Sequence, residues 1–191
     1  KALIVARSVQ AREFISKYCK NVSDTIIDHG VNIEKFTPCR EKDNQFAISS
    51  QLISRKHIEK SIEAFAKYLN KYVDSAKLYI MGDGDEKENL RKLAKDLGAD
   101  KNIIFTGKLG HNDLIEILKK SIAMLVYTQS DLNMVSIVES LSLATPVITT
   151  SVSYCSSYIE SERLGIVDDN WNEDDLRRIA TSDEYINNCM N

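Results

Sequence analysis

The stretch Lys77-Leu78-Tyr79-Ile80-Met81-Gly82-Asp83-Gly84-Asp85-Glu86-Lys87-Glu88-Asn89-Leu90-Arg91-Lys92-Leu93-Ala94-Lys95-Asp96-Leu97-Gly98 changes its period half-way. Residues 77–81 form a short β-rich run. From about Glu86 to Leu97, the apolar residues Leu90, Leu93, Ala94 and Leu97 share one helical face, and Gly98 stands where a helix stops. Joined by Gly82-Asp83-Gly84-Asp85, the two halves read as strand, tight turn and helix. The same alternation continues outward in both directions. Strands are expected at residues 2–5, 25–27, 46–50, 103–106, 123–127 and 147–150. Between them, Ile58, Ile62, Phe65, Ala66 and Leu69 mark one amphipathic helix, and Leu114, Ile117 and Leu118 mark another over residues 113–121. Strands alternating with helices imply right-handed crossovers and a parallel sheet covered on both faces. The expected class is α/β, a Rossmann-like doubly wound parallel sheet.

Composition agrees with this reading. Of 191 residues, 43% are apolar and 28% charged, with two prolines and seven glycines, a balance that suits a buried core and argues against long disordered tails. The net charge of −3 comes from 25 basic and 28 acidic residues mixed along the chain, so no basic field exists to hold a nucleic-acid backbone. No apolar run approaches the roughly 20 residues of a membrane span, and the first residues lack the apolar core of a signal peptide. Cys19, Cys39, Cys155 and Cys189 have no C-x-x-C spacing and read as reduced thiols of a cytoplasmic protein. Residues 37–45, polar and carrying Pro38, read as a linker. In the polar tail from Asn170, Asn172 is placed to cap a helix starting at Glu173, with Leu176 and Ile179 inward.

In an open parallel sheet, ligands bind at the carboxyl ends of the strands, where loops meet helix N-termini. Gly82-Asp83-Gly84 at such an end lets backbone approach a ligand closely, but Lys87 replaces the third glycine of the dinucleotide fingerprint. Asp83 and Asp85 form an Asp-x-Asp pair of the kind that holds a divalent metal; the plainer reading is a tight turn with Asp85 as helix N-cap. A second loop, Thr128 to Ser136, leads into helical spacing at Ile137, Val138 and Leu141, and free N–H groups at that start suit an anion. Glu139, one turn further on, suits two neighbouring hydroxyls such as those of a ribose. Lys56 precedes the helix that starts near Ile58, a position from which an ammonium neutralises phosphate. His29, His57 and His111 show no metal spacing, and no catalytic part is assigned to them.

Taken in order, these segments resemble the donor-binding half of retaining glycosyltransferases with the GT-B fold, the family called glycosyl transferases group 1 or family 4. Ile26-Ile27-Asp28-His29-Gly30-Val31-Asn32 through Phe36-Thr37-Pro38 is similar to the family's entry into its second domain. Lys56 with Ile62-Glu63-Ala64-Phe65 resembles its Lys-Gly…Ala-Phe segment, and Ile80 to Gly84 its Gly-x-Gly strand end. Ile103-Ile104-Phe105-Thr106-Gly107 resembles a Val-x-Phe-x-Gly strand. Asp131 to Glu139 followed by Ala144-Thr145-Pro146-Val147-Ile148 is similar to Glu-x7-Glu and Gly-x-Pro-Val-Ile.

The resemblance implies a bound nucleotide sugar, such as a UDP- or GDP-sugar, as substrate, with no cofactor and no metal. It assigns Glu139 to the ribose, Lys56 to the diphosphate, and Asp131 with the backbone of Asn133 and Met134 to the sugar hydroxyls. Val135 and Ser136 offer N–H groups to phosphate, and Gly107 and Lys108 lie near the base; Gly82 and Gly84 join the donor site. Three departures stand out. Gln51 replaces an arginine five residues before Lys56, a loss for which Arg55 is the candidate replacement. Asp131 shortens a glutamate, and Leu132-Asn133-Met134 replaces Gly-Phe-Gly. The acceptor, a glycan or lipid, is expected to be held by an N-terminal domain outside this chain, with residues 1–23 its remnant or a linker and 24–191 the nucleotide-sugar-binding domain.

The function so implied is hexosyltransferase-type retaining transfer to a polysaccharide, glycolipid or protein-linked acceptor, in the cytoplasm and with peripheral membrane contact in the full-length protein. The isolated domain is expected to be inactive alone. The alternative from another class is a non-catalytic GT-B-like partner subunit with a degenerate donor site. A plain NAD-binding domain would need the third glycine that Lys87 replaces.

Overall fold

The structure, a computed structural model, describes residues 2–6, 9–27, 31–72, 75–129, 135–153 and 155–191. It divides into two units, Lys1–Asn32 and Ile33–Asn191. In the first, β1 (Ile4–Ala6) and β2 (Val22–Ile26) pair in parallel across helix α1 (Val9–Ser16). The backbone N–H of Ile4 donates to Asn21 O at 3.0 Å, and Asn21 Nδ2 donates to Ala2 O at 2.7 Å. The boundary expected at Asp24 therefore falls inside a paired strand, and the unit runs on to Asn32.

The second unit is a six-stranded parallel sheet in the order β5-β4-β3-β6-β7-β8. Its strands are β3 (Gln45–Ser49), β4 (Lys77–Met81), β5 (Ile103–Gly107), β6 (Ala123–Leu125), β7 (Val147–Thr149) and β8 (Gly165–Val167). The intervening helices are α2 (Ile58–Lys71), α3 (Lys87–Asp96), α4 (His111–Lys120), α5 (Val135–Ser142) and α6 (Ser156–Ser161); α7 (Glu173–Ala180) and α8 (Glu184–Met190) follow the sheet. The chain steps outward from β3 to β5, returns to the middle at β6, and then steps the other way, the doubly wound arrangement expected from the alternation. Strand residues Phe46, Ile48, Leu78, Ile80, Leu125, Ile148 and Ile166 are buried in one cluster with Ile62 and Phe65 of α2, Leu90 of α3 and Leu176 and Ile179 of α7. Right-handed crossovers put α4 and α5, which neighbour each other, on the opposite face.

Some expectations are corrected. Strand β8 was not anticipated: it opens on Gly165, a residue that argues against a strand in sequence, yet a Cβ there would stand 1.9 Å from Val147 O. The N-cap of α3 is Glu86, not Asp85, and it makes no side-chain cap bond. Asn172 does cap α7 as expected, in a reciprocal box with Asp175. Residues 37–44 carry no helix or strand, but they are a fastened strap and not a free linker. Cys39 N donates to Leu143 O (3.2 Å), Asp43 N to Lys120 O (2.8 Å), and Lys42 Nζ to Lys119 O (2.9 Å) and Thr145 Oγ1 (2.8 Å). The partners of Lys42 lie 77 to 103 residues away in sequence, beyond the reach of any local pattern.

Burial pulls the Lys42 amine from 10.5 down to about 8 despite those acceptors. A depressed folded value means that the unfolded chain holds the proton more tightly, so this group's contribution to stability rises with pH through that interval. In chemical denaturation, the wild type should gain on Lys42→Met between about pH 8 and 10.5; a difference that stays flat or shrinks there refutes it.

Three helices close with the same pair of bonds. After α3, Gly98 (φ 70°) donates to Lys95 O and Ala99 to Ala94 O. After α5, Ala144 (φ 56°) donates to Leu141 O and Thr145 to Ser140 O. After α6, Arg163 (φ 52°) donates to Glu160 O and Leu164 to Ile159 O. This left-handed closure favours glycine, because a Cβ meets the neighbouring carbonyl there. Arg163 is exposed, and its ion pair with Glu184 is solvent-facing, so little opposes the exchange. Arg163→Gly should stabilise the chain by roughly 0.5–1 kcal/mol in thermal melts.

Candidate functional site

Strand β3 pairs with β4 along its whole length, to Ser49 opposite Met81. With β6 it pairs only at Phe46–Ala123 and Ala47–Met124. Beyond that point the two strands part, and a pocket opens between Ile48, Ser49 and Ser50 on one side and Leu125, Val126, Tyr127 and Thr128 on the other. The parting lies where the strand order reverses, the position at which doubly wound sheets bind ligands.

Lys56 lines this pocket. It ends a single 3-10 turn, Ser54–Lys56, and the chain enters α2 through His57 in the left-handed region (φ 46°). His57 Nδ1 lies 3.0 Å from Glu59 Oε1, and its ring stands 6.4 Å from that of Tyr127. Burial, and then the neighbouring charge of Arg55, hold the Lys56 ammonium below its ordinary value. Arg55 itself is exposed beside it.

A wider cleft of about 490 Å³ adjoins the pocket through the shared Ser49 and Ser50. It gathers Gln51, Gly82 and Lys108, three residues singled out from sequence, with Asp83, Leu109 and Leu114. The two glycines serve a close approach, but of chain to chain. A Cβ on Gly82 (φ 146°) would stand 1.8 Å from Ser50 O, and one on Gly84 (φ 159°) 2.3 Å from Leu52 O. Ser50 N donates to Met81 O and Leu52 N to Asp83 O, both at 3.0 Å, so the β3–β4 pairing runs on into the loops. Gly107 (φ 72°) accepts from Gly82 N at 3.0 Å and continues the same rim. Asp83 is occupied locally: the Gly84 N–H and then the Lys87 ammonium at 3.3 Å hold its carboxyl below the usual range. Among the described residues, no group of three or more His, Cys, Asp or Glu side chains could hold a metal ion.

Helix α5 starts at Val135 and Ser136, and Glu139 lies one turn inside it, its side chain only 15% exposed. His111 Nε2, from the first residue of α4, meets Glu139 Oε1 at 2.9 Å. Sequence reasoning missed this pair because 28 residues separate its members and only the packing of α4 on α5 joins them. It also missed a third cavity of about 340 Å³, contiguous through Tyr127 and Thr128 and walled by Thr150, Asp169 and Asn170. There, the Ser151 N–H and hydroxyl hold the Asp169 carboxyl below its usual range. Asp131, Asn133 and Met134 lie outside the described residues, as do Asp28, His29 and Gly30.

Residues 32–182, which include the whole crevice, match the family described as glycosyl transferases group 1. The chain belongs to that family. The alpha-monoglucosyldiacylglycerol synthase of Streptococcus pneumoniae (strain ATCC BAA-255 / R6) is 27% identical over 178 residues, covering 85% of this chain and 40% of that protein. The crystal structure of WaaG, a glycosyltransferase involved in lipopolysaccharide biosynthesis, superposes with TM-score 0.81 at 18% identity, over 97% of this chain and 56% of WaaG. HepE of Anabaena, crystallised with UDP, superposes with TM-score 0.75 at 15% identity, over 98% of this chain and 57% of HepE. The chain thus spans 40% of the length of that synthase and little more than half of these two structures. At such identities the superpositions establish fold, and the fold is that of a C-terminal GT-B glycosyltransferase domain. No described helix of this family member is long and apolar enough to cross a membrane.

The contact of the two loops around Gly84 gives a direct test. Gly84→Ala forces backbone apart at the cleft rim and should cost on the order of 2 kcal/mol or more, read as a lowered melting temperature. An unchanged melt would show that the loops part freely.

Proposed function

We propose that this chain supplies the donor-binding half of a retaining glycosyltransferase, taking a nucleotide-diphosphate sugar and passing its sugar to a glycolipid or polysaccharide acceptor. The observation that carries the reading is the crevice at the parting of β3 and β6, which holds the half-buried Lys56 ammonium at the carboxyl end of the sheet. Desolvation strengthens its attraction for a diphosphate, since fewer waters compete for the charge. In the proposed reaction, the bond from the anomeric carbon to the diphosphate oxygen breaks, and negative charge grows on the leaving group. Lys56 and the N–H groups of Val135 and Ser136 stabilise it without moving, which is what lowers a barrier. Glu139 accepts from the ribose hydroxyls, and the cleft beside Gly82 and Lys108 takes the base. Asp131, with the backbone of Asn133 and Met134, is proposed to meet the sugar.

The relatives support both substrate classes: one is by name a glycolipid synthase, one is involved in lipopolysaccharide biosynthesis, and one was crystallised with UDP. Family membership favours a transferase over a non-catalytic partner subunit. An acceptor domain outside the Ile33–Asn191 unit fits the first unit, where Leu3, Val5, Phe14, Tyr18 and Ile27 stand exposed around a two-stranded parallel ladder. Parallel ladders are stable when covered on both faces, so this one fits a larger sheet. Transfer is then expected only with that domain present, on the cytoplasmic side, at a membrane when the acceptor is a lipid.

Calorimetric titration with UDP and with GDP tests the donor site. One of the two should bind below millimolar, and Lys56→Met should weaken it by roughly tenfold through loss of a charge-assisted contact. Binding of neither nucleotide, or Lys56→Met indistinguishable from wild type, overturns the reading.

A further inference from the structure

We infer that His111 is a positioning residue for nucleotide recognition: it holds Glu139 so that the carboxylate meets the 2′ and 3′ hydroxyls of a ribose, and it thereby sets selectivity for ribonucleotides over deoxyribonucleotides. The inference rests on the ribose reading of Glu139 and adds the residue that makes it work. Glu139 Oε1 lies 2.9 Å from His111 Nε2. A carboxylate can only accept, so the hydrogen sits on Nε2 and the tautomer is set by the contact.

The imidazole is itself held. Phe36, 8% exposed, meets its ring edge-on at 6.2 Å between centroids and 89° between planes. Backbone fixes it too, because His111 opens α4 directly after Gly110, which stands at the N-cap position in an extended conformation. Three residues earlier, Lys108 lines the cleft proposed for the base, so one short segment serves both base and sugar ring.

A helical glutamate has three rotatable side-chain bonds, and fixing them on ligand binding subtracts from affinity. Anchoring one oxygen beforehand removes that loss and leaves the remaining lone pairs of the carboxylate to a vicinal diol. A ligand without those hydroxyls gains nothing from the arrangement. His111 is thus expected to act on ribose-bearing ligands alone.

The test is a calorimetric comparison of UDP and GDP with their 2′,3′-dideoxy counterparts, using the 191-residue chain. In the wild type the ribonucleotide should bind about tenfold more tightly than its dideoxy partner, and Glu139→Ala should abolish that difference. His111→Leu should weaken the ribonucleotide by about the same factor, leave binding of the dideoxy compound unchanged, and add nothing to Glu139→Ala. His111→Gln, which restores an N–H donor, should recover most of the preference. Preference retained in His111→Leu while Glu139→Ala abolishes it, or equal loss for both ligands, overturns the inference and leaves the donor site standing. A wild type that binds neither UDP nor GDP overturns both.

Discussion

Everything that positions the crevice depends on how strand β3 is shared. It is bonded to β4 through Ser49 but to β6 only as far as Ala47, so the middle of the sheet splits at its carboxyl edge. The split follows from direction of travel: crossovers leave β3 towards one edge through β4 and β5, and leave β6 towards the other through β7 and β8. With helices on opposite faces, no crossover fills the gap between the two central strands. Ser49, Tyr127 and Thr128 meet there at or just past strand ends, and Lys56 joins them from the turn that leads β3 into α2. A side chain in such a gap is partly desolvated yet reachable, the condition under which one ammonium binds phosphate strongly.

The rim of the crevice is shaped by backbone more than by side chains. Gly82 and Gly84 admit the carbonyls of Ser50 and Leu52 at distances no Cβ tolerates, so two loops run as one extended ladder. Elsewhere a positive φ, here in the left-handed helical region, is held by residues that carry a steric penalty, His57 before α2 and Ala144 before β7. These stand where the family patterns Lys-Gly and Gly-x-Pro-Val-Ile carry glycine. Tertiary packing holds both conformations regardless of the residue, at a penalty of about 1 kcal/mol each. At His57 the side chain also gains a role, facing Glu59 and Tyr127 beside the ammonium.

Three described acidic side chains near the crevice are each engaged by a donor. Asp83 is held by Gly84 N–H and Lys87, Asp169 by Ser151, and Glu139 by His111. The anion site proposed for a chain of net charge −3 then needs no broad basic field, because these three carboxylates already have partners.

The sequence by itself determined the alternation of elements, and with it the α/β class, since periods of 2 and 3.6 are local properties of side-chain spacing. It also located Gly82 at a strand end, Lys56 ahead of a helix and Asn172 as a cap, because each of these follows from neighbours within a few residues, whereas Gln51 and Lys108 were singled out by the family resemblance. Strand β8 stayed hidden because it opens on a glycine. Only the tertiary structure decided that residues 37–44 are a strap, that Gly82 and Gly84 admit another loop, and that His111 faces Glu139. Those facts join residues from 28 to 103 positions apart. The energies that bring them together, burial and strand order summed over the whole sheet, leave no mark on any short window of sequence.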